Sequence, residues 1–124
     1  MADSDEYAIS LEKRFGYLTV IDVPSLVTAS TDRWSNQTLT QVDGSVVRLG
    51  IVQGEFHWHQ HDDEDELFFV LDGELLVDVE GGRTVALRPQ QGFNIPRGTR
   101  HRTRAPQRTV MLMMSAAGVV PTGD

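Results

Sequence analysis

The sequence predicts an all-β fold, a barrel or sandwich forming one domain. Three observations carry this. Short runs rich in apolar and β-branched residues recur along the chain, turn chemistry separates them, and no capped segment with a sustained helical period interrupts them. The runs are Tyr17 to Val23, Val46 to Val52, Glu66 to Leu71, Leu75 to Val79, Thr84 to Leu87, Phe93 to Ile95 and Thr109 to Met114. Between them stand Asp43-Gly44, Asp72-Gly73, Gly81-Gly82, Gln91-Gly92 and Pro96-Arg97-Gly98, residue pairs that accept the backbone angles of tight turns.

Alternation supports individual strands. Val47, Leu49 and Ile51 share one face while Arg48 points away, and Leu75, Val77 and Val79 oppose Asp78 and Glu80. Only a weak helix in the first fifteen residues is expected. The expected organisation is an N-terminal extension over 1–16, a barrel over 17–115 and a tail over 116–124.

A chain of 124 residues has the length of one domain, and 40% hydrophobic with 23% charged residues is an ordinary globular composition. No apolar run approaches the ~20 residues of a spanning helix, and the acidic start Met1-Ala2-Asp3-Ser4-Asp5-Glu6 is unlike a signal peptide. A soluble, cytoplasmic protein with no membrane partner is therefore expected. A net charge of −7 argues against nucleic acid as a partner. The absence of cysteine excludes disulfides, thiolate nucleophiles and cysteine-held metals.

Any chemistry must then come from His, Asp, Glu and Arg. Three of the four histidines are His57, His59 and His61, and the fourth is His101. On an extended strand the first three project to one face. Asp62-Asp63-Glu64-Asp65 has the length of a hairpin loop, which would return Glu66 opposite His61 and Phe68 opposite His59. Two imidazoles and a carboxylate would then converge, a good donor set for a divalent first-row metal. His101, after the Pro96–Gly98 turn, could reach the same interior.

Nine acids and no base lie between Asp62 and Glu80, whereas Arg97, Arg100, Arg102, Arg104 and Arg108 surround His101. They form either two solvated edges facing each other or an arginine-lined mouth for an anionic ligand.

Two segments, HWHQHDDEDELFFVLDGEL and IPRGTRH, resemble the two signature motifs of the cupin superfamily. His59, His61, Glu66 and Gly73 meet the spacing of the first motif, and Pro96, Gly98 and His101 that of the second. Gly54 is separated from His59 by four residues where the family usually has five, Gly92 is closer to Pro96 than usual, and Ala105 replaces a terminal asparagine. The closing Pro121-Thr122-Gly123-Asp124 is similar to the tail of small single-domain cupins.

The resemblance implies a double-stranded β-helix, or jelly-roll, barrel. It also implies one divalent transition metal per chain (Mn, Fe, Co, Ni, Cu or Zn) held by His59, His61, Glu66 and His101. His57 is left over, either as a proton-transfer group or support beside the metal, or as a strand histidine satisfied by a neighbour. Phe68 and Phe93 are expected to line a pocket, and Met111, Met113 and Met114 to pack.

The implied activity is that of a metal-dependent enzyme on a small oxygenated substrate, an anionic one included: an isomerase, dioxygenase, lyase or cyclase. The alternative is a non-catalytic module binding a metal, a sugar or an organic acid. Related small cupins form homodimers, with Tyr17–Val23 a candidate strand to pair across the interface.

Overall fold

The computed structural model describes residues 7–124. Among them are eight strands and one helix: β1 (Ala8–Ser10), α1 (Val23–Ala29), β2 (Trp34–Val42), β3 (Ser45–Glu55), β4 (Glu66–Asp72), β5 (Leu75–Val79), β6 (Arg83–Leu87), β7 (Gly92–Ile95) and β8 (His101–Ala116). The strands run β1-β2-β3-β8-β4-β7 in one hydrogen-bonded path, and β5 joins β8 to β6. The sixteen-residue β8 ties the two halves together. Its start pairs with β5 (Val79 opposite His101), and its end lies between β3 (Gly50 opposite Met111) and β4 (Phe68 opposite Met113). This mostly β, curled sheet is the double-stranded β-helix expected from the sequence.

Two apolar layers form on opposite faces of β3. Leu49 and Ile51 pack outward with Leu26 of α1, Leu39 and Val110, while Val52 packs inward with Trp34, Phe68, Met111 and Met113. The faces opposite Val47, Leu49 and Ile51 are thus not solvent but the barrel interior, and Arg48 is buried there at 4% exposure.

Predicted turns carry the left-handed backbone they were chosen for. Asp43 has φ +48°, Gly73 +87°, Gly81 +91°, Gly82 +88° and Gly98 +78°.

Three expectations are corrected. Tyr17–Val23 is not a strand, so it offers no edge for a second chain to pair with. Leu18 adopts φ +57°, Tyr17, Leu18 and Val20 are exposed, and Pro24 starts α1 instead. The helix expected in the first fifteen residues is also absent from 7–15, where Ala8–Ser10 pairs in parallel with Ser35–Gln37; residues 1–6 lie outside the described part. Finally, Glu66 does not return on a hairpin opposite His61. It pairs with Ile95 of β7 and Ser115 of β8.

Two elements escaped sequence reading. β2 is mostly polar, and a register shift between Thr38 and Thr40 breaks its alternation. The helix α1 has only seven residues, too short for a periodic signal. Its C-terminal carbonyls are satisfied from a distance, Arg108 Nη2 donating to Val27 O at 3.1 Å and Ser30 O at 3.0 Å.

Candidate metal centre

The residues of the centre arrive from three places in the chain. β3 ends in a bulge between Val52 and Gly54, where Gly54 has φ +104°. Beyond it the chain is extended but largely unpaired, joining the barrel through a bridge between His59 and His101. There His59 N–H donates to His101 O at 2.9 Å, and His101 N–H donates back at 2.8 Å. The Pro96–Thr99 turn holds the next residue, Gly98 N–H donating to His61 O at 2.8 Å. Glu66 enters from the first position of β4.

The four donors converge. One ligand atom from each of His59, His61, Glu66 and His101 lies within 4.8 Å of all the others, and all four residues are buried. Ligands at ~2.1 Å from one first-row ion stand about 3.0 to 4.2 Å apart, so a small inward adjustment accommodates such an ion.

The orphaned atoms fit the same reading. Glu66 Oε1 lies 3.2 Å from His61 Nε2 and 3.6 Å from His101 Nε2. Neither approach is aligned as a hydrogen bond, and both nitrogens, with His61 Nδ1, are buried without a hydrogen-bond partner. The other ring nitrogens of two histidines are tied to backbone: His59 Nδ1 to His57 O at 3.0 Å, and His101 Nδ1 to Thr99 O at 2.9 Å. A carbonyl can only accept, so each Nδ1 carries the proton and each Nε2 lone pair is left free for a metal.

Electrostatics set the protonation states. Burial, helped by the neighbouring His101, lowers the His59 pKa to about 4, so its imidazole is neutral at pH 7. Burial alone would raise the Glu66 carboxyl, but His101 and His61 beside it outweigh that and hold it at about 2. For His61, burial pulls the pKa down and Glu66 more than restores it, leaving it raised.

A pH prediction follows for the metal-free protein. A group whose pKa is depressed on folding contributes stability that is complete above its unfolded value and lost as pH falls through its folded value. For His59 the window is pH 6.5 down to 4, worth roughly 3 kcal/mol; the raised His61 acts in the opposite direction but above pH 6.5, outside this window. Thermal melts of metal-free protein should fall steadily across that window, and again below pH 4.5 as Glu66 titrates; a flat profile from 6.5 to 4 would show that His59 is not buried as described.

His57 lies outside the four-atom cluster. Residues 56–61 form no regular ladder beyond the bridge at His59, so strand parity does not hold His57 on the face of His59 and His61. His57 stacks on Phe56 at 4.3 Å between centroids and donates from Nε2 to Thr122 O at 2.7 Å. The closing segment lies across this stretch. Asp124 N–H donates to Gln60 O at 2.9 Å, Asp62 N–H to Asp124 Oδ2 at 2.6 Å, and a Cβ on Gly123 would stand 2.6 Å from His59 Cβ.

Phe68 lines the pocket beside the centre, with Trp34, Asn36, Val52, Phe56, Thr103, Met111, Met113 and Pro121, around a cavity of about 20 Å³. Phe93 is not among the lining residues. It pairs in register with Phe68 but packs against the core under the Arg83 guanidinium, 5.7 Å from the ring centroid. Met111 and Met113 pack as expected and also form pocket wall, whereas Met114, expected to pack, is exposed.

Four of the five arginines around His101 are committed to partners, and Arg100 is exposed. Arg102 and Arg104 both bind Asp78 at 2.7 Å, Arg102 also reaches Glu55 at 3.1 Å, Arg97 meets Asp65 at 3.5 Å, and Arg108 caps α1. The two charged edges meet in the pairs to Asp65 and Asp78. Asp78 is held well below the usual carboxylate range, mainly by Arg104.

Among the described residues no helix is long and apolar enough to cross a membrane.

Comparison with known proteins agrees with the geometry. Residues 45–116 match the Cupin domain family. A relative from Bacillus subtilis, the uncharacterized protein YdbB, is 44% identical over 81 residues, covering 65% of this chain and 72% of the relative. A cupin-2 domain containing protein from Shewanella frigidimarina superposes with a TM-score of 0.72 at 26% identity, covering 77% of this chain and 92% of that one. A cupin superfamily protein from Desulfitobacterium hafniense gives 0.66 at 19% identity, covering 80% and 91%; that likeness speaks to the fold alone. The match spans well over half of the residues, including all four converging donors, and the chain belongs to the cupin family.

Proposed function

We propose that this cupin is a metal-dependent enzyme acting on a small oxygenated organic substrate through His59, His61, Glu66 and His101. The carrying observation is the buried, convergent donor set, whose Nε2 lone pairs are left free while the Nδ1 protons of His59 and His101 are tied to carbonyls. A divalent ion held there supplies Lewis acidity, or redox chemistry with dioxygen where it is iron. The chain itself contributes orientation and exclusion of water, through Phe56, Phe68 and Pro121 around the pocket. Among the described residues lining the pocket, the ionisable side chains are His59 and Glu66, both members of the donor set, so no separate base is at hand. This favours dioxygenase or lyase chemistry over an epimerisation that needs separate bases.

One observation favours the rival reading, a non-catalytic module. A cavity of about 20 Å³ admits little more than one water-sized group until Met111, Met113 or the segment around Pro121 yields.

Elemental analysis of protein purified without a metal-chelating tag, followed by oxygen-uptake assays with small hydroxy and oxo compounds, tests the proposal. The expected result is close to one transition metal per chain and substrate-dependent turnover. Protein that stays metal-free after supplementation with Mn, Fe, Co, Ni, Cu and Zn overturns the site. Metal without turnover of any candidate favours the binding module.

A further inference from the structure

Arg48 is a buried cation without a partner. It sits on β3 opposite Thr38 of β2 and Met113 of β8. It shares its face with Gly50 and Val52, and that face is the barrel interior. A Cβ on Gly50 would stand 2.8 Å from the Met111 methyl and 3.0 Å from that of Met113, and Val52, Met111 and Met113 all line the pocket. Arg48 is 4% exposed, its Nε has no acceptor, and it forms no ion pair or side-chain hydrogen bond with any described residue.

An unpaired guanidinium in the interior is strongly unfavourable, so folding retains it only at a considerable penalty. The carboxylate whose charge acts on it is Glu66, which belongs to the metal centre. A second orphan lies nearby. Asn36 lines the pocket from β2 opposite Gly50, diagonal to Arg48, and its buried Oδ1 receives no hydrogen bond.

Charge arithmetic points the same way. Three neutral imidazoles, one carboxylate and a divalent ion leave +1, and Arg48 makes the interior +2. Arg102 and Arg104 bind Asp78 away from the cavity, whereas Arg48 adjoins its lining residues Val52 and Met113 without itself lining it. In a medium of low dielectric such an excess selects an anion.

We propose that Arg48 is the anion-recognition residue of the barrel. It binds the carboxylate of a small hydroxy or oxo acid whose remaining oxygen faces His59, His61, Glu66 and His101, with Asn36 Oδ1 accepting from the acid's hydroxyl. This rests on the metal reading above and names the substrate class of that site. The planar guanidinium matches a carboxylate with paired donors, which an ammonium cannot copy.

Glycolate and its uncharged counterpart glycolamide are the probes. Binding is measured by calorimetry on wild type, Arg48→Met and Arg48→Lys, each prepared zinc-loaded and metal-free, with metal content read separately. Glycolate is expected to bind zinc-loaded wild type and glycolamide not. Arg48→Met should weaken glycolate binding by about 30-fold or more while keeping wild-type metal content, and Arg48→Lys should fall between. Without ligand, Arg48→Met should melt at or above wild type, because methionine fills similar volume without a charge to desolvate.

Glycolate binding unchanged in Arg48→Met overturns the proposal. So does an Arg48→Met protein that melts well below wild type or loses metal, since Arg48 then serves only to balance Glu66. If the chain takes up no metal, the metal reading fails by itself. Arg48-dependent glycolate binding by the metal-free protein would still support the anion site, and its absence would overturn it.

Discussion

His101→Ala is expected to lower the bound metal from close to one per chain to below about a tenth, with apparent affinity reduced at least 100-fold. Disturbing only a residue behind a ligand already costs 10–100-fold, and His101 is a donor itself. It is fully buried, its Nδ1 is fixed by Thr99 O, and its Nε2 stands 3.6 Å from Glu66 Oε1. The variant should still fold. The hydrogen bonds that join this position to His59 are made by backbone N–H and C=O, which alanine retains.

His57→Ala is the matched control. It removes a histidine of the same cluster whose Nε2 faces Thr122 O, so metal content should hold while the closing segment loosens. Elemental analysis of both variants decides the matter. Metal retained in His101→Ala removes it from the ligand set, and metal lost in His57→Ala places the ligands two residues earlier.

Gly73→Ala is expected to destabilise the protein by about 3–4 kcal/mol. Two causes combine. A side chain at φ +87° is strained by about 1–2 kcal/mol. The added Cβ would also stand 2.5 Å from Thr109 Oγ1, 2.8 Å from Arg108 O and 2.9 Å from Thr109 Cα. Two of those atoms belong to the backbone of β8 and cannot swing aside. Displacing Thr109 also disturbs its hydroxyl, which accepts from Glu74 N–H at 3.1 Å and lies 3.0 Å from the carbonyls of Glu74 and Gln107.

Gly81→Ala separates the two causes. Gly81 has φ +91° but nothing within 4 Å of an added Cβ, so only the backbone strain should register. Urea denaturation of the two variants should differ by about 2 kcal/mol. Equal midpoints would mean that the turn, and not the approach to Thr109, requires glycine at 73.

Gly73 also shows how sequence and structure divide the explanation. Its place beyond Glu66, with six residues between, was visible in the motif spacing, yet its neighbour Thr109 is thirty-six positions away. The same holds for the metal centre. The identities of His59, His61, Glu66 and His101 were legible because ligand chemistry and spacing are local properties. Their route to convergence was not. A hairpin between the histidines and Glu66 was the economical local solution, but β4 pairs instead with β7 and β8, and His59 bridges to His101. Strand pairing is a competition among all edges of the sheet, which local spacing does not record.

The mostly polar β2 and the seven-residue α1 were silent for a related reason, carrying too little apolar periodicity to register. In the opposite direction, the apolar Tyr17–Val23 read as a strand, but Leu18 turns left-handed and Pro24 begins a helix.

By itself the sequence determined the β architecture, most strand positions, the turn residues and the four donors, because alternation, glycine placement and ligand type are written into neighbouring residues. Only the tertiary structure decided which face of each strand is interior. On β3 that choice puts Arg48 inside the barrel. Past the end of β3 it turns His57 to Thr122, and along β5 and β8 it turns the arginines onto Asp78. The period of a strand separates two faces without naming them. The name comes from what the rest of the chain packs against each.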